Sequence, residues 1–520
     1  MYIVSADEMR EMDRQTIENF GLPGRVLMEI AGRGATRWLL ECFPDVLEMR
    51  TGVMAGRGNN GGDGFVIARY LHQKGGRVTI FLLTEEERLT GDAAANLALA
   101  HASGIPVVCL PDETAFRENG TALAHQHIFV DAILGTGLKS DVKAYYRTVI
   151  DFINDSGRPV FAVDIPSGLN ADTGQPCGVC VRADATATFG YAKTGLILYP
   201  GADFTGELSV IDIGIPPFIA DRIKPDKWLL TESMMAGYPI PRASDTHKGK
   251  TGHLLVVAGS RGKTGAARMT AESALRAGAG LVTLAVPAGV HAMTAASMIE
   301  VMTEPVGKAD QSFFDEACLE ALVSTMSGKT CLALGPGIGT DQATCDLVSA
   351  LLEKSQIPLV VDADGLNCLA GQLHILKDHP GRILLTPHPG EMARLAGITV
   401  RDVQGDRTAC ARQLATEYGV YVVLKGAATV IAHPDGKIFI NRTGNPGMAS
   451  GGMGDVLTGL IAGFICQGYD YGQAAHLGVY LHGAAADRLA GRHAIGYLAS
   501  DVMAEIPKAM TALLSPEYED

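Results

Sequence analysis

The chain has 520 residues, of which 47% are hydrophobic and 19% are charged, so it can bury a sizeable core and is not intrinsically disordered. Its formal net charge of −14 disfavours a nucleic-acid partner, because the phosphates would be repelled. The first residues lack the basic-then-apolar pattern of a signal peptide, and no uncharged stretch is long enough to cross a bilayer. We therefore expect a cytoplasmic protein with no membrane partner.

Cysteine usage fits a reducing compartment. Ten cysteines are scattered along the chain, and only Cys177 and Cys180 form a CxxC pair. Without a second such pair a zinc site is disfavoured, and we interpret these two residues as free thiols in a turn.

The N-terminal part of the chain alternates helical and strand-like segments. Residues 5–42 are predicted to be helical, because Ser5 followed by Glu8 makes a capping box and apolar residues then recur at helical spacing. From Gly52 onward, apolar runs that end in glycine or aspartate predict the strands GVMAGRG, RVTIFLLT, HIFVDAILG, PVFAVDIPSG and ATATFG. This alternation predicts a mainly parallel sheet with helices on both faces.

A second α/β series follows a break near the middle of the chain. Prolines are frequent over residues 214–250 and the apolar periodicity fades, so we place the boundary at about 220–230, between domains 1–222 and 223–520. The strands predicted beyond it are HLLVVAGS, LVTLAVP, CLALGPG, PLVVDADG, RILLTPHPG, VYVVLKG and ATVIAHP. The two halves share an α/β architecture class but not their motifs.

The glycine-rich segment Gly56–Gly64 lies between a predicted strand and the predicted helix Phe65–Lys74. It contains GxGxxG, the dinucleotide-binding fingerprint. Asn59, Asn60 and Asp63 argue against the usual role, because a carboxylate would then lie near the pyrophosphate. Paired amides and a carboxylate suit a ribose, a nicotinamide amide or a cation. The alternative is that Asp63 only caps the helix.

Two more acids are predicted at strand ends, Asp131 in VDAILGTGLKS and Asp164 in VDIPSGL. The loop after Asp131 could hold a phosphate with its backbone amides, and Lys139 adds a cation. Ligands of open α/β sheets bind outside the carboxyl ends of the strands, so these two clusters and Gly56–Gly64 are predicted to converge on one crevice. For each cluster taken alone, turn chemistry is the alternative.

The N-terminal motifs form a set. NNGGD, DAILGTGLKSD, DIPSG, YAKTG and the later Pro200-Gly201 together resemble the NAD(P)H-hydrate epimerase family over about residues 1–215. The resemblance implies a Rossmann-like three-layer fold and a bound monovalent cation, usually K⁺, with Asn60, Asp131 and Ser167 as its ligands. It also implies a set of contacts to hydrated NADH or NADPH. That set is Asn59, Asn60, Gly61, Gly62, Asp63, Gly135, Thr136, Gly137, Leu138, Lys139, Ser140, Asp141 and Asp164.

Epimerisation at C6 of a hydrated nicotinamide must break and remake a bond at a carbon that carries both oxygen and the ring nitrogen. A carboxylate near the hydroxyl can shuttle the proton, and we predict that Asp164 has this role. Asp63 is the second choice, because a helix N-terminus would stabilise its anion and weaken it as a base.

The segment Asn445–Asp455 is glycine-rich and precedes the predicted apolar helix Val456–Phe464. Glycines let the backbone approach a phosphate, and the helix N-terminus supplies N–H donors and a positive dipole. Asp455 would lie beside this anion hole and could deprotonate an attacking hydroxyl, which is the pairing that phosphoryl transfer needs. The alternative is a glycine-rich cap with an acid in the first helical turn.

The C-terminal motifs also form a set. Gly-Met-Gly-Asp resembles the signature of the ribokinase-like fold, and KGKTGH, AGS, GPGIG, VDADGLN, LTPHPGE and LKGAAT closely resemble the ADP- or ATP-dependent NAD(P)H-hydrate dehydratases over about residues 230–515. One small departure is Ala258, where that family often has glycine. The resemblance implies that Gly337, His388, Asp455 and Ala266 contact the hydrate. It implies that the nucleotide is held by Lys425, Gly426, Ala427, Ala428, Thr429 and Gly454.

These resemblances predict an enzyme that epimerises the R and S hydrates of NADH and NADPH and then dehydrates the S hydrate, releasing phosphate and, from ADP, AMP. Asp455 would take the hydroxyl proton, the oxygen would attack the terminal phosphoryl group of a nucleotide carrying Mg²⁺, and phosphate would leave. ADP rather than ATP is expected by resemblance only. The alternative is a ribokinase-like small-molecule kinase with an N-terminal nucleotide-binding regulatory domain. We expect helix 5–42 to be exposed, which predicts a homo-oligomer.

Overall fold

The computed structural model describes residues 1–238, 242–491 and 495–514. By its internal contacts the chain divides into two compact units. The N-terminal unit is Tyr2–Asp226, and the C-terminal unit is Lys227–Asp520 together with Met1.

The N-terminal unit alternates strands and helices, with a π-helical turn at Thr16–Phe20 and a 3₁₀ turn at Glu86–Arg88. Its strands are β1 (Tyr2–Val4), β2 (Arg50–Ala55), β3 (Arg77–Leu82), β4 (Val107–Cys109), β5 (Ile128–Ala132), β6 (Val160–Val163), β7 (Ala185–Phe189), β8 (Ala192–Lys193) and β9 (Glu207–Ile211). Its helices are α1 (Ala6–Gln15), α2 (Gly24–Cys42), α3 (Asn59–Gln73), α4 (Gly91–Ala102), α5 (Glu113–Glu118), α6 (Gly120–Ala124), α7 (Ala144–Asp155), α8 (Thr194–Ile197), α9 (Gly201–Thr205) and α10 (Pro217–Ile223).

The main sheet of this unit is parallel, in the order β4-β3-β2-β5-β6-β7-β9. Alternate strand residues feed two separate cores: Val53 and Ala55 of β2 pack in one, and Met54 packs in the other. Successive side chains of a strand point to opposite faces, so the two cores lie on opposite faces of the sheet. Each core also contains helix residues, and helices therefore cover both faces. The predicted three-layer α/β fold and all five predicted strands are confirmed.

The segment 5–42 is mostly helical, as predicted, but it is not one helix. Ser5 and Glu8 do form the capping box, with Ser5 Oγ accepting from the Glu8 amide at 3.2 Å. The helical run then stops at Gly21, whose φ is +87°, and restarts after Pro23. The break follows from the proline, which has no amide hydrogen and disfavours helical geometry in the preceding residue. Both helices bury one face in the unit's own core, so the expected exposure of the whole helix was wrong.

Helix α3 begins earlier than predicted. It starts at Asn59 rather than Phe65, so both asparagines, the glycines and Asp63 lie within its first turns. The N-cap is Gly58, and no side chain caps this helix end. The alternative role of Asp63 as a helix cap was therefore wrong.

The C-terminal unit is a second alternation of strands and helices, with 3₁₀ segments at Glu316–Cys318, Leu373–Asp378 and Pro446–Met448. Its strands are β10 (Lys227–Leu229), β11 (His253–Val257), β12 (Leu281–Pro287), β13 (Met302–Val306), β14 (Cys331–Leu334), β15 (Leu359–Val361), β16 (Ile383–Leu385), β17 (Tyr421–Leu424), β18 (Thr429–Ala432) and β19 (Ile438–Asn441). Its helices are α11 (Glu232–Ala236), α12 (Thr264–Ala277), α13 (Ala288–Ala295), α14 (Leu319–Met326), α15 (Gln342–Lys354), α16 (Asp364–Leu369), α17 (Pro389–Ala396), α18 (Val400–Gly405), α19 (Arg407–Tyr418), α20 (Met453–Cys466), α21 (Tyr471–Ala490) and α22 (Ala499–Leu514).

The sheet of this unit runs β13-β12-β11-β14-β15-β16-β17-β18-β19-β10. Its strand pairs are parallel except for β17–β18 and β18–β19. Its central strands are buried on both faces, as in β11, where Leu254 to Val257 are at most 1% exposed. Strands buried on both faces read as continuous apolar runs, which is why all seven predicted strands are confirmed.

Three strands of the C-terminal unit were not predicted. β13 is an edge strand whose Glu304 and Pro305 are exposed, so it lacks an apolar run. β10 lies inside the Pro-rich segment that we expected to be irregular, and it pairs with β19. Local patterns do not show strands of this kind, because pairing partners supply most of their stability.

Helix α20 starts at Met453, three residues before the predicted start, and places Asp455 in its first turn. Cys177 and Cys180 form no disulfide, whereas Cys345 and Cys368 are joined by one. In the part of the chain described, no helix is long and apolar enough to span a membrane.

Candidate active sites

The N-terminal unit has a cavity of about 870 Å³ beside the carboxyl ends of β2 and β5. The strand order reverses between these two strands, which is where open α/β sheets bind ligands. The predicted convergence of the strand-end clusters is therefore seen in the structure. The predicted contact residues that line the cavity are Asn59, Asn60, Asp63, Gly135, Thr136, Gly137, Leu138, Ser140, Asp141 and Asp164.

Three predicted contact residues do not line this cavity. Gly61 packs against the backbone, so that a Cβ there would lie 2.0 Å from the Gly56 carbonyl oxygen. A Cβ on Gly62 would lie 2.8 Å from the side chain of Met28. Lys139 points to solvent and pairs with Asp7, 3.3 Å away. The two glycines thus allow α3 to approach its neighbours closely rather than presenting a side chain to a ligand.

Asn60, Asp131 and Ser167 meet at one buried point, as the predicted cation site requires. Ser167 donates its amide to Asp131 Oδ2 at 2.7 Å and its hydroxyl to Oδ1 at 2.6 Å. The Asn60 amide donates to the Leu134 carbonyl at 3.0 Å, and its Oδ1 is buried with no hydrogen-bond partner among the described residues. Burial raises the pKa of Asp131 to about 6. In the described chain no Lys, Arg or His forms an ion pair with Asp131.

Asp164 lies at the end of β6 in a left-handed conformation, with φ of +65°. Its Oδ1 accepts from the ammonium group of Lys193 at 2.5 Å and from Thr188 Oγ1 and the Phe189 amide, both at 3.2 Å. Lys193 itself is 1% exposed and also lines the cavity. Backbone strain at a non-glycine residue, held by several contacts, is frequent at functional sites.

Two further carboxyl groups face this ion pair. Burial raises the pKa of Asp63 well above its usual value, and the carboxylates of Asp164 and Asp13 add to the effect. Burial and the neighbouring carboxylates thus disfavour the Asp63 anion, which is opposite to the effect expected from the helix N-terminus. Burial likewise raises the pKa of Asp13 on α1 to about 6. The ammonium of Lys193 opposes both shifts.

In the C-terminal unit Asp455 lies where the glycine-rich segment becomes helix α20. The N-cap is Gly452, whose φ is +92°, and the free amides of the first turn follow it. Burial raises the pKa of Asp455 to about 7, and the carboxylates of Asp362, Asp364 and Glu391 add to the effect, while Lys425 opposes it. At neutral pH this carboxyl group is poised to take up or release a proton, as a general base requires.

Lys425 is fixed by carboxylates that sequence analysis did not assign. Its ammonium lies 2.6 Å from Asp362 Oδ1 and 3.7 Å from Glu391 Oε2, and Thr458 donates to Asp362 Oδ2 at 2.7 Å. Burial lowers the pKa of Lys425, but these carboxylates raise it by more. A Cβ on Gly454 would lie 3.3 Å from the Lys425 ammonium, so the helix start and the lysine are direct neighbours.

The loop after Lys425 is open on one side. Gly426 and Ala427 are exposed, while Ala428 is buried in a left-handed conformation, with φ of +52°. Thr429 closes the turn by donating to the Gly426 carbonyl at 2.8 Å. A backbone of this shape between two strands can accept a ligand without a side chain in the way.

His388 has a structural contact as well as an exposed edge. Its Nδ1 accepts from the amides of Gly390 and Glu391 at 3.0 and 3.3 Å, which makes it the N-cap of α17. Nδ1 therefore carries no proton, and Nε2 faces Glu391 Oε1 at 3.3 Å. The side chain is 52% exposed, which leaves one side of the ring accessible.

Gly337 and Ala266 are neighbours, as their shared predicted role requires. A Cβ on Gly337 would lie 3.3 Å from Ala266 Cβ and 3.0 Å from Lys263 Cβ. Lys263 in turn pairs with Asp364 at 2.8 Å, and Asp364 accepts the Gly339 amide at 2.9 Å. These contacts hold the loop after β14 close to the start of α12.

The structure brings into the sites four residues that lie within the quoted motifs but had no predicted role, Lys193, Asp362, Asp364 and Glu391, and it adds Lys263, which lies outside those motifs. It also adds Asp13, which lies on a predicted helix with nothing to mark it. A lone lysine or aspartate in a sequence reads as a solvated surface group, so only burial and contact distances reveal these residues.

Two family models match the chain in separate segments. Residues 24–195 match the model described as YjeF-related protein N-terminus, and residues 254–508 match the model described as NAD(P)H-hydrate dehydratase. The two segments fall on the two compact units and carry the two clusters described above.

Relatives extend over the whole chain. The bifunctional NAD(P)H-hydrate repair enzyme Nnr of Moorella thermoacetica is 43% identical over 99% of this chain and 97% of its own length. The enzyme of the same name from Escherichia coli is 36% identical over 99% and 94%. The chain therefore belongs to the family of bifunctional NAD(P)H-hydrate repair enzymes, which carry an epimerase and a dehydratase domain.

Among solved structures, the ADP/ATP-dependent NAD(P)H-hydrate dehydratase of Bacillus subtilis, co-crystallised with ATP and Mg²⁺, is 30% identical. The similarity covers 55% of this chain and 98% of that protein, with a TM-score of 0.49.

Proposed function

We propose that the N-terminal unit interconverts the R and S hydrates of NADH and NADPH at C6. We propose that the C-terminal unit then dehydrates the S hydrate at the expense of ADP, releasing phosphate and AMP. The observation that carries this proposal is the presence of two separate strand-end sites in one chain that aligns, over its whole length, with bifunctional repair enzymes. A dehydratase specific for one epimer would leave the other unrepaired, and an epimerase on the same chain removes that limit.

In the epimerase unit, Asp164 takes the proton of the C6 hydroxyl. Its position at the cavity wall and the contacts that fix Oδ1 support this role, because a base must be held in place to work efficiently. The contact residues named from the sequence, Gly61, Gly62 and Lys139 included, remain proposed contacts to the hydrated nucleotide.

We propose that Asn60, Asp131 and Ser167 hold a K⁺ ion. The fit rests on two features of the buried cluster: the unpartnered Asn60 Oδ1, and the Asp131 carboxylate, which lacks a cationic partner among the described residues. Hard oxygen ligands suit such a cation, and a buried carboxylate without a counter-charge is costly. When bound, the ion would supply that charge and fix the loop that carries Leu134.

In the dehydratase unit, Asp455 takes the proton of the hydrate hydroxyl, whose oxygen attacks the terminal phosphoryl group of ADP. The phosphorylated hydrate then loses phosphate as the ring nitrogen pushes out the leaving group, and loss of a proton from C5 restores the dihydropyridine. The first-turn amides of α20 and the Lys425 ammonium stabilise the charge that develops on the phosphoryl oxygens.

We further propose how this unit holds its two ligands. Gly337, Ala266 and His388 contact the hydrate, and Gly454 with the loop from Lys425 to Thr429 holds the nucleotide. Mg²⁺ would arrive on the nucleotide phosphates, because among the described residues no three His, Cys, Asp or Glu side chains are grouped to hold a metal ion.

Location and assembly are also proposals. We infer that the protein works in the cytoplasm, since eight of its ten cysteines are free thiols and one pair forms a disulfide. We infer that it self-associates, because Ile17, Phe20 and Val26 in and around the first helices are 40–54% exposed.

The test is incubation of mixed hydrate epimers with ADP, ATP or no nucleotide. With ADP, the absorbance of reduced nicotinamide should recover for the whole mixture, and orthophosphate should appear in equal amount. Formation of a stable phosphorylated product without free phosphate would instead identify a small-molecule kinase. Recovery with ATP alone would contradict the proposed use of ADP.

A further inference from the structure

Of the five aspartates that line the epimerase cavity, three lie around its single buried ammonium group, that of Lys193. Asp13, Asp63 and Asp164 all line the cavity, and Lys193 lies between them with 1% of its surface exposed. One cation can neutralise only one carboxylate, so the way in which Lys193 distributes its contacts decides what each acid can do.

Lys193 has no proton left for Asp13 or Asp63. An ammonium group has three N–H bonds, and here they point to Asp164 Oδ1 at 2.5 Å, Thr188 Oγ1 at 3.0 Å and the Phe189 carbonyl at 2.9 Å. All three donors are used on residues around Asp164. The counter-charge of Lys193 therefore belongs to Asp164.

The same contacts leave one Asp164 oxygen available. Oδ1 is the acceptor for Lys193, Thr188 and the Phe189 amide, whereas none of the described residues donates to Oδ2. An ionised carboxylate that is anchored through one oxygen can receive a proton on the other. This geometry is that of a fixed general base.

Asp63 is in the opposite situation. It is 8% exposed, lies in the second turn of α3, and has neither an ion pair nor a hydrogen-bond donor among the described residues. A buried carboxyl group with no compensating contact avoids the cost of its charge by keeping its proton. The raised pKa of Asp63, which follows from burial and the nearby carboxylates of Asp164 and Asp13, agrees with this state.

We propose that Lys193 divides the acids of the cavity into a base, Asp164, and a proton donor, Asp63, and that epimerisation proceeds by opening and reclosing the hydrated ring. The inference rests on the proposed epimerase function and adds the second proton-transfer group and the residue that sets both charges. Lys193 is a positioning residue, since it acts through Asp164.

Asp164 and Asp63 together account for every proton transfer in the reaction. Asp164 accepts the C6 hydroxyl proton, the C6–N1 bond breaks, and its electron pair goes to N1, which takes the Asp63 proton. The open form has an aldehyde at C6 and an N–H at N1. After rotation about C5–C6, N1 returns its proton to Asp63 and attacks the other face of the carbonyl, whose oxygen recovers the proton from Asp164. No oxidant, reductant or further reactant is needed.

The first test is the rate of C6 epimerisation by the full chain carrying Asp63→Asn, measured on separated hydrates by chromatography. We expect kcat to fall on the order of a hundredfold or more with little change in KM, because the amide keeps the shape but cannot transfer a proton. Asp151→Asn, the same substitution at an exposed position of α7, should retain the wild-type rate. A near wild-type kcat for Asp63→Asn, or an equal loss for Asp13→Asn, would overturn the assignment of the proton donor.

The second test is Lys193→Ala with added propylammonium, which replaces the missing atoms, or tetramethylammonium, which has no N–H. We expect a loss of at least tenfold, partial recovery with propylammonium, and none with tetramethylammonium. An undiminished rate overturns the role of Lys193, as does failure of rescue in a variant whose Tm is unchanged. Absence of epimerisation by the wild-type chain would instead reject the proposed function itself.

Discussion

Replacement of K⁺ by choline should destabilise the N-terminal unit through Asp131. Its side chain is fully buried, and its pKa rises from 3.8 to about 6. A shift of about two units corresponds to roughly 3 kcal/mol that the fold loses when this carboxyl group is ionised without a counter-ion. Bound K⁺ should offset most of that loss.

The pH dependence of this effect has a definite sign. Because the folded-state pKa lies above the unfolded one, the native state binds more protons in this window, and stability falls as pH rises from about 4 to about 6. The K⁺ effect should therefore be complete above pH 6 or so and vanish below about pH 4, where Asp131 is protonated in the folded state.

The assay is hydrogen exchange of the β5 backbone, read by mass spectrometry in KCl and in choline chloride at equal ionic strength. At neutral pH, K⁺ should slow exchange by on the order of a hundredfold, which corresponds to the same 3 kcal/mol or so. Asp131→Asn should remove the difference between the salts, and Asp151→Asn should keep it. Equal exchange in both salts for the wild type, or a K⁺ effect that survives Asp131→Asn, would refute the reasoning.

Four further outcomes are expected. Asp455→Asn should lower dehydration on the order of a hundredfold or more and leave epimerisation intact; a near wild-type dehydration rate would exclude Asp455 as the base. In the wild type, dehydration should rise with pH through a midpoint of about 7, where Asp455 ionises, and a flat profile from about pH 5 to 9 would contradict this. Gly61→Ala should abolish epimerisation but not dehydration, because its Cβ would lie 2.0 Å from the Gly56 carbonyl oxygen; an active epimerase would show that α3 can shift. Separation of the chain near residue 225 should give a C-terminal fragment that quickly converts about half of an equimolar mixture of epimers, and rapid use of both would contradict the proposed epimerase.

The positions of the site residues could be predicted from the sequence more accurately than the ends of the helices that carry them. Asp131, Asp164 and Asp455 were all placed at strand or helix ends, because glycine-rich turns after apolar runs are a strong local signal. The starts of α3 and α20 were placed too late, since glycines read as loop whereas here they form the first helical turns, with Gly61 against the Gly56 carbonyl and Gly454 beside the Lys425 ammonium. The break at Pro23 was missed for the opposite reason: helical periodicity on either side masked it.

The sequence by itself determined the class of each unit, the order of most strands along the chain and the family, because these depend on local apolar periodicity and contiguous motifs. The tertiary structure alone decided which charges meet. Lys193 and Asp164 are 29 residues apart, and Lys425 and Asp362 are 63 apart, yet each pair shares a hydrogen bond in a buried site. Burial sets the cost of a charge and distance sets its partner. Burial and distance do not depend on which residues are adjacent in the sequence. The proposed roles of the aspartates as bases or proton donors therefore follow only from the folded structure.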